Sequence, residues 1–226
     1  MNDISCWESK YQSCTYSESL INKINIQNEK SNHQVDLLQI KKAIYYAKKY
    51  HGSQKRLSGE PYYSHPLAVA ELVAPHCFKT DILVTSILHD TIEDTDLTKD
   101  LIEHIFDANI ASKVEGLTRI KLDRKISAAK MLELLYISKQ YDLLLVKMFD
   151  RLHNMRTINC MLANKIKKIK LETLESFIIV SMRFELTELE LEFKRLTRSQ
   201  PNIKLDLIEQ SYRKFAEDYF HFPILD

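Results

Sequence analysis

The chain has 226 residues, of which 45% are hydrophobic, and its 32 basic and 31 acidic side chains leave a formal net charge of +1. This length suits one domain with appendages and allows a sizeable core to be buried. The balanced charge gives no electrostatic case for binding to nucleic acid or to a membrane surface. An anionic ligand would have to be recognised by local basic residues.

The cysteines and the N-terminus indicate the compartment. Cys6, Cys14, Cys77 and Cys160 are widely spaced and form neither a Cys-x-x-Cys pair nor a disulfide framework, which favours a reducing environment. The first residues contain no basic region followed by an apolar stretch, and the apolar runs are much shorter than the roughly 20 residues of a membrane span. We therefore expect a soluble, cytoplasmic protein.

Helical periodicity dominates the chain. Neither Gly nor Pro occurs between residues 117 and 200, which is hard to reconcile with a sheet connected by tight turns. Apolar residues recur at helical intervals, as at Ile40, Ala43, Ile44 and Ala47, and no stretch alternates with a period of two. The sequence predicts an all-α fold, a helical bundle.

We divide the chain into a polar leader (1–36), a helical domain (37–197) and a C-terminal helical tail or remnant (198–226). The leader is expected to be flexible or to form a short accessory helix. The predicted helices cover 35–50, 66–75, 80–95, 98–114, 125–138, 141–162 and 165–197. A loop at 51–66 contains two of the three glycines and two of the five prolines.

A first cluster of chemically active side chains comprises His89, Asp90, Glu93 and Asp94. On one continuous helix they lie at roughly 0°, 100°, 40° and 140° around the axis, so that one broad face presents an imidazole and three carboxylates. Clustered carboxylates repel one another unless protons or a cation relieve them. The pattern favours a metal site over the alternative, a solvated acidic helix end.

Two further segments complete the pattern. His65 stands in the loop, and Asp150 begins a narrow polar stripe with His153, Asn154 and Thr157 on an otherwise apolar helix. A polar stripe of this kind must find partners in the interior or line a cavity. A structural hydrogen-bond network is the alternative interpretation.

The order of these residues is His, then adjacent His-Asp, then a distant Asp. Two imidazoles and two carboxylates form a mixed nitrogen and oxygen ligand set that suits Mn²⁺, while Zn²⁺, Fe²⁺ and Co²⁺ are also chemically possible. Four protein ligands on an octahedral ion leave positions for water and for a substrate oxygen, as hydrolysis requires.

This arrangement resembles the HD-domain phosphohydrolases. Three longer segments, RLSGEPYYSHPLAVA (56–70), ILHDTIEDT (87–95) and VKMFDRLHNMRTI (146–158), are similar to the hydrolase domain of the RelA/SpoT family. The resemblance covers about residues 37–196. It implies metal-assisted attack by water on the 3′-pyrophosphate of the guanosine alarmone (p)ppGpp, which gives GDP or GTP and pyrophosphate.

Carried over residue by residue, the resemblance implies three groups of functional residues. The metal ligands would be His65, His89, Asp90 and Asp150. The acidic pair Glu93 and Asp94 would activate or orient the attacking water. Substrate would be bound by Arg56 against the guanine ring and by Ser58, Asn154 and Thr157 around the nucleoside.

Three departures from the family pattern stand out. Leu57 replaces a basic residue, the stretch between Thr118 and Lys147 is several residues shorter than usual, and Met148-Phe149 replaces Leu-Ala before Asp150. None of them removes a catalytic residue. About thirty residues follow the matched region, too few for a nucleotide-transferring domain, so we expect hydrolysis without synthesis.

Three other functions stay open at this point. The same scaffold serves enzymes that cut other nucleotide phosphates, including the 2′-phosphate of NADPH. A degenerate remnant could bind the alarmone or a partner without turnover, although every ligand position and both acidic residues are present. A nucleic-acid-binding helical module is disfavoured, because the chain has no basic stripe.

Overall fold

The computed structural model describes residues 6–118, 120–121 and 124–197. The helices run as follows: α1 Trp7–Lys10, α2 Thr15–Lys30, α3 Leu37–His51, α4 Ser64–Val73, α5 Thr80–Leu88, α6 Thr91–Asp94, α7 Lys99–Ile105, α8 Ala108–Leu117, α9 Ala128–Ile137, α10 Tyr141–Arg156, α11 Ala163–Glu172, α12 Ile178–Arg183 and α13 Thr187–Thr197. A 3₁₀ turn covers Ile158–Cys160, and a π turn covers Thr173–Phe177. The all-α prediction is confirmed.

One short hairpin interrupts the helices. β1 (Ile120–Lys121) and β2 (Arg124–Lys125) pair antiparallel, with Ile120 opposite Lys125. This pair lies in the stretch between Thr118 and Lys147. None of the helices within the described ranges is both long enough and apolar enough to cross a membrane.

Several predicted helices are divided where side chains compete with the backbone. The predicted helix 98–114 is two helices, because Asp107 accepts a hydrogen bond from the Ile110 amide (2.7 Å) and so begins α8 as an N-cap. The predicted helix 165–197 contains the π turn and a break before α13, where Glu185 has a positive φ of 55°. The predicted helix 141–162 ends at Arg156.

The core forms around α5, whose residues from Ile82 to Leu88 are all buried. Helices α3, α4, α8 and α10 pack against it, and α10 also packs along α4. Three segments that are distant in sequence, the start of α4, the end of α5 and the middle of α10, therefore meet inside the bundle. This meeting point positions the candidate site.

The N-terminal segment joins the same core. Helix α2 packs against α4 and α3, and Trp7, Leu20 and Ile24 belong to the hydrophobic core cluster. The side chain of Gln27 also donates a hydrogen bond to the Ala74 carbonyl (3.1 Å). The segment 1–36, which we expect to be a flexible leader or a short accessory helix, thus contains a 16-residue helix with a buried face. The predicted tail, 198–226, lies outside the described residues.

The buried face of α2 gives a stability prediction. Replacing Leu20, which is fully buried, with Ala should lower the free energy of unfolding by about 2–5 kcal/mol, since a cavity replaces a packed side chain. The matched control is Ile26→Ala on the same helix, where the side chain is 52% exposed and the change should stay within about 0.5 kcal/mol. Urea unfolding measures both. Equal, small losses would mean that α2 does not stabilise the domain.

Candidate metal centre

The four predicted metal ligands converge from three elements. His65 is in the first turn of α4, His89 and Asp90 follow α5, and Asp150 is in α10. His65 Nε2 lies 3.1 Å from Asp150 Oδ1 and 3.5 Å from Asp90 Oδ2, while His89 Nε2 lies 3.0 Å from Asp90 Oδ1. Ligand atoms of His65, His89 and Asp150 all lie within 4.8 Å of one another. These residues form a group compact enough to hold one metal ion.

The His89 ring is oriented by the backbone. Its Nδ1 lies 2.8 Å from the Ser86 carbonyl oxygen, so Nδ1 carries a proton and donates it there. Nε2 is buried and faces Asp90 Oδ1 at 3.0 Å, but it makes no hydrogen bond of acceptable geometry in the described part of the chain. An unsatisfied buried nitrogen is costly, and a metal ion would satisfy it. The donor set therefore fits a divalent cation.

The His65 ring is oriented by a second histidine. His65 Nδ1 lies 2.9 Å from His153 Nδ1, and His65 is almost completely buried. Burial, with the nearby His65 and Arg56, lowers the pKa of His153 to about 3, so that its ring is neutral and can accept a hydrogen bond. Both Nδ1 atoms have a hydrogen-bond partner when His65 Nδ1 donates to His153 Nδ1. His65 Nε2 is then directed at Asp150. Partners behind a ligand in this way fix its tautomer and orientation.

The cluster places two carboxylates, Asp90 and Asp150, beside a lysine and two histidines. Burial acts to raise the pKa of Asp150, but Lys147, whose Nζ lies 3.6 Å away, and the two histidines hold that pKa well below its ordinary value. Burial acts to lower the pKa of His89, but Asp90 and Asp150 raise it to about 10. The histidine proton thus balances the carboxylates, and a divalent cation can take its place.

The prediction that Glu93 and Asp94 continue the helix that leads to His89 is wrong. Helix α5 ends at Leu88, and Glu93 and Asp94 belong to the separate four-residue helix α6. The physical reason is that the Thr91 hydroxyl donates to the Leu88 carbonyl (2.7 Å) and so competes with the helical amide. Asp94 is exposed and accepts a hydrogen bond from the Tyr62 hydroxyl (2.7 Å), whereas Glu93 is half-buried.

Three of the predicted substrate-binding residues form one wall beside the cluster. Arg56 Nη2 donates to Asn154 Oδ1 (2.9 Å) and to Thr157 Oγ1 (3.3 Å). Asn154 Nδ2 donates in turn to Asp150 Oδ1 (2.7 Å), so this wall is connected directly to the metal cluster. Ser58 is exposed, in the turn that follows Arg56. The geometry brings Arg56, Asn154 and Thr157 to the metal cluster, whereas among the described residues no contact with the cluster is seen for Ser58, and the individual roles remain predictions.

Phe149, the residue before Asp150, lies on the side of α10 that faces α4 and α13. Its ring contacts that of His76, with centroids 4.8 Å apart and planes tilted by 32°, and it lines a cavity of about 440 Å³ between α4, α10 and α13. The bulk of Phe149 is therefore accommodated behind α10.

Two residues near the site, Tyr62 and Lys147, were not predicted by the sequence analysis, and His153 was placed on the polar stripe without a role.

Comparison with known proteins gives the class of protein. The profile of the HD domain matches residues 43–183, the part of the chain that contains all four predicted ligands. The chain belongs to the HD-domain family.

Within that family, the relatives are RelA/SpoT proteins. Over 163 residues the chain is 40% identical to the GTP pyrophosphokinase rsh of Brucella suis, a match that covers 70% of this chain and 22% of that protein. It is 35% identical over 189 residues to the guanosine-3′,5′-bis(diphosphate) 3′-pyrophosphohydrolase of Aquifex aeolicus (80% and 27%). It is 34% identical over 163 residues to the bifunctional (p)ppGpp synthase/hydrolase SpoT of Escherichia coli (70% and 23%). The resemblance to the RelA/SpoT family is confirmed.

The matches cover only about a quarter of the length of these relatives. A solved structure of a metazoan ortholog of SpoT, described as hydrolysing ppGpp and acting in starvation responses, superposes with a TM-score of 0.61 at 20% identity. That match covers 73% of this chain and 97% of the solved chain, and it shows that the two share a fold.

Proposed function

We propose that the chain is a divalent-metal-dependent phosphohydrolase that removes the 3′-pyrophosphate of (p)ppGpp, with Mn²⁺ as the metal. The observation that carries the proposal is the connection between the buried His65, His89 and Asp150 cluster and the wall of Arg56 and Asn154. One side can hold a metal ion and the other can bind a nucleotide. The names of the Aquifex and Escherichia relatives support this reaction and this substrate.

The proposed roles follow from the chemistry of the side chains. His65, His89, Asp90 and Asp150 hold the cation, which when bound polarises phosphoryl oxygens and lowers the pKa of water. Glu93 and Asp94 act on the attacking water, since a carboxylate near the site can accept its proton.

The substrate would be bound by the wall beside the cluster. Arg56 supplies a permanent positive charge and a flat guanidinium group that can lie against a purine. Asn154 can both donate and accept hydrogen bonds, which suits the mixed edge of guanine. Thr157 adds a hydroxyl group to the same wall, and Ser58 offers another in the exposed turn after Arg56.

The proposal is tested by incubating the purified chain with Mn²⁺ and ppGpp and following the release of pyrophosphate, with and without a chelator. We expect release that depends on the metal and yields GDP. Parallel reactions with pppGpp and NADPH compare the alternative nucleotides. Phosphate release from NADPH alone would replace the alarmone with another substrate, and tight ppGpp binding without turnover would identify a degenerate binding protein.

Asn154 provides a prediction about recognition of the base. Asn154→Ala should weaken ppGpp binding by about 1–3 kcal/mol, because the amide's partners in the complex are left unpaired. The loss should be smaller for the adenine analogue of the substrate. Isothermal titration with each nucleotide measures the difference, and Asn159→Ala, an exposed position five residues later, is the matched control.

The same variant also tests the hydrogen bond from Asn154 to Asp150. Metal content near that of the wild type would assign Asn154 to the nucleotide. Equal losses of affinity for both bases would contradict a role in reading guanine, and loss of metal would show that the amide supports the ligand Asp150.

A further inference from the structure

We propose that Tyr62 is the positioning residue of the reaction and that its hydroxyl group holds the carboxylate of Asp94 beside the metal cluster. This inference rests on the proposed function and assigns a task to a residue that none of the motifs above explains. Tyr62 lies in the loop between α3 and α4, three residues before the predicted ligand His65.

The first observation is the position of the hydroxyl group. Tyr62 Oη lies 2.7 Å from Asp94 Oδ2 and 3.5 Å from Asp90 Oδ2. A phenol has a single proton, so it donates to the closer oxygen, that of Asp94. The hydroxyl therefore binds the carboxylate at the end of α6 while it lies 3.5 Å from Asp90, the predicted metal ligand just before that helix.

The second observation is that Asp94 needs such a partner. It is exposed and belongs to a helix of only four residues, so it has little packing to restrict its rotamers. An exposed side chain loses rotamer freedom each time it adopts a reactive position. A hydrogen bond made in advance keeps the carboxylate in place, and placement of a reacting group is a large part of catalysis.

The third observation is that the Tyr62 ring is itself fixed. It stacks on the buried His51, with centroids 4.6 Å apart and planes 24° apart, and the Arg56 guanidinium lies 5.9 Å from its centre. His51 Nδ1 lies 2.8 Å from Gln54 Oε1, and Gln54 Nε2 donates to the Asp94 carbonyl (2.9 Å). The loop thus holds both the side chain and the main chain of Asp94.

The kinetic test is Tyr62→Phe, which keeps the ring and removes the hydroxyl. We expect kcat for ppGpp to fall by about 10- to 100-fold, which corresponds to one hydrogen bond to a charged group. KM should stay within about twofold, and Mn²⁺ binding should be unchanged. The matched control is Tyr63→Phe, the next residue, which should keep the activity of the wild type. A KM effect with unchanged kcat would overturn the proposal.

A double-mutant cycle separates positioning from general structural support. In the absence of the Asp94 carboxylate there is nothing for Tyr62 to position, so Tyr62→Phe should cost no further activity in an Asp94→Ala background. Losses that multiply across the two substitutions would contradict the assignment.

The same four proteins are compared by urea unfolding, which needs no substrate. Non-additive free energies of unfolding are expected if the hydroxyl and the carboxylate interact, and additive values would overturn the contact and with it the proposal. A wild-type chain that leaves ppGpp intact would instead overturn the proposed function, whatever the unfolding cycle shows. The two failures are therefore distinguishable.

Discussion

Replacing Asp150 with Ala is expected to remove most of the Mn²⁺ affinity and most of the hydrolytic activity. Asp150 accepts a hydrogen bond from Asn154 and lies within ion-pairing distance of His65, so it joins the metal cluster to the nucleotide wall. The substitution deletes one anionic ligand and leaves Lys147, which is also buried, without its charge partner. The loss of metal affinity should exceed the roughly 10- to 100-fold that is typical when only a supporting residue is removed.

The control for this variant is Asp142→Ala on the same helix. Asp142 is a comparable carboxylate, but its side chain is 44% exposed and pairs with Lys79 (2.9 Å), away from the cluster. Its loss should change neither metal binding nor turnover. Titration of Mn²⁺ by calorimetry and pyrophosphate release at limiting metal measure both variants. Turnover like that of the wild type in Asp150→Ala at limiting metal would refute the four-ligand assignment.

The substitutions Glu93→Gln and Asp94→Asn should separate chemistry from binding. Each keeps the size of the side chain and removes a base and a negative charge. If these carboxylates serve the attacking water, kcat should fall by roughly 10²–10⁴, the usual contribution of general acid–base catalysis. Affinity for ppGpp should change little or increase, because repulsion of the phosphates is reduced. Asparagine at position 94 still offers an oxygen to Tyr62, so a fall in kcat would not reflect loss of that contact alone.

The matched control for the acidic pair is Asp96→Asn, an exposed carboxylate two residues beyond Asp94. This variant should behave like the wild type, since a general reduction of negative charge is not the expected cause of the fall in kcat. Steady-state kinetics give kcat, and a binding measurement with the inactive variants gives the affinity for ppGpp. Weaker binding with an unchanged kcat would show that the pair contacts substrate and does not act on water.

Much of the fold and the core of the site can be predicted from sequence for a physical reason. A run of residues without Gly or Pro and with helical periodicity has few alternatives to a bundle. Polar side chains such as His65, His89 and Asp150 are rare on largely apolar segments. When such segments are buried, these side chains must find polar partners. Their convergence follows from the packing of α4, α5 and α10.

The details that escape prediction depend on competition between side chains and the backbone. The end of α5 could not be read from periodicity, because Thr91 and His89 use main-chain carbonyls that a continuous helix would employ. The support from His153 and Tyr62 depends on distances across the bundle. Only His153 gave a signal, its position on the polar stripe with Asp150.

The π turn at Thr173–Phe177 determines how far the residues that follow it are rotated about the helix axis. A π turn takes in about one residue more than an α turn, and each helical residue accounts for about 100° of rotation. Arg151 contacts both sides of this turn, since it pairs with Glu172 (2.6 Å) and its guanidinium lies 4.3 Å from the Phe177 ring. Deleting a single residue here would rotate Phe177, together with Phe193 that contacts it, away from Arg151 and α10. The extra residue thus acts as a spacer that keeps α13 in register with the helix bearing Asp150.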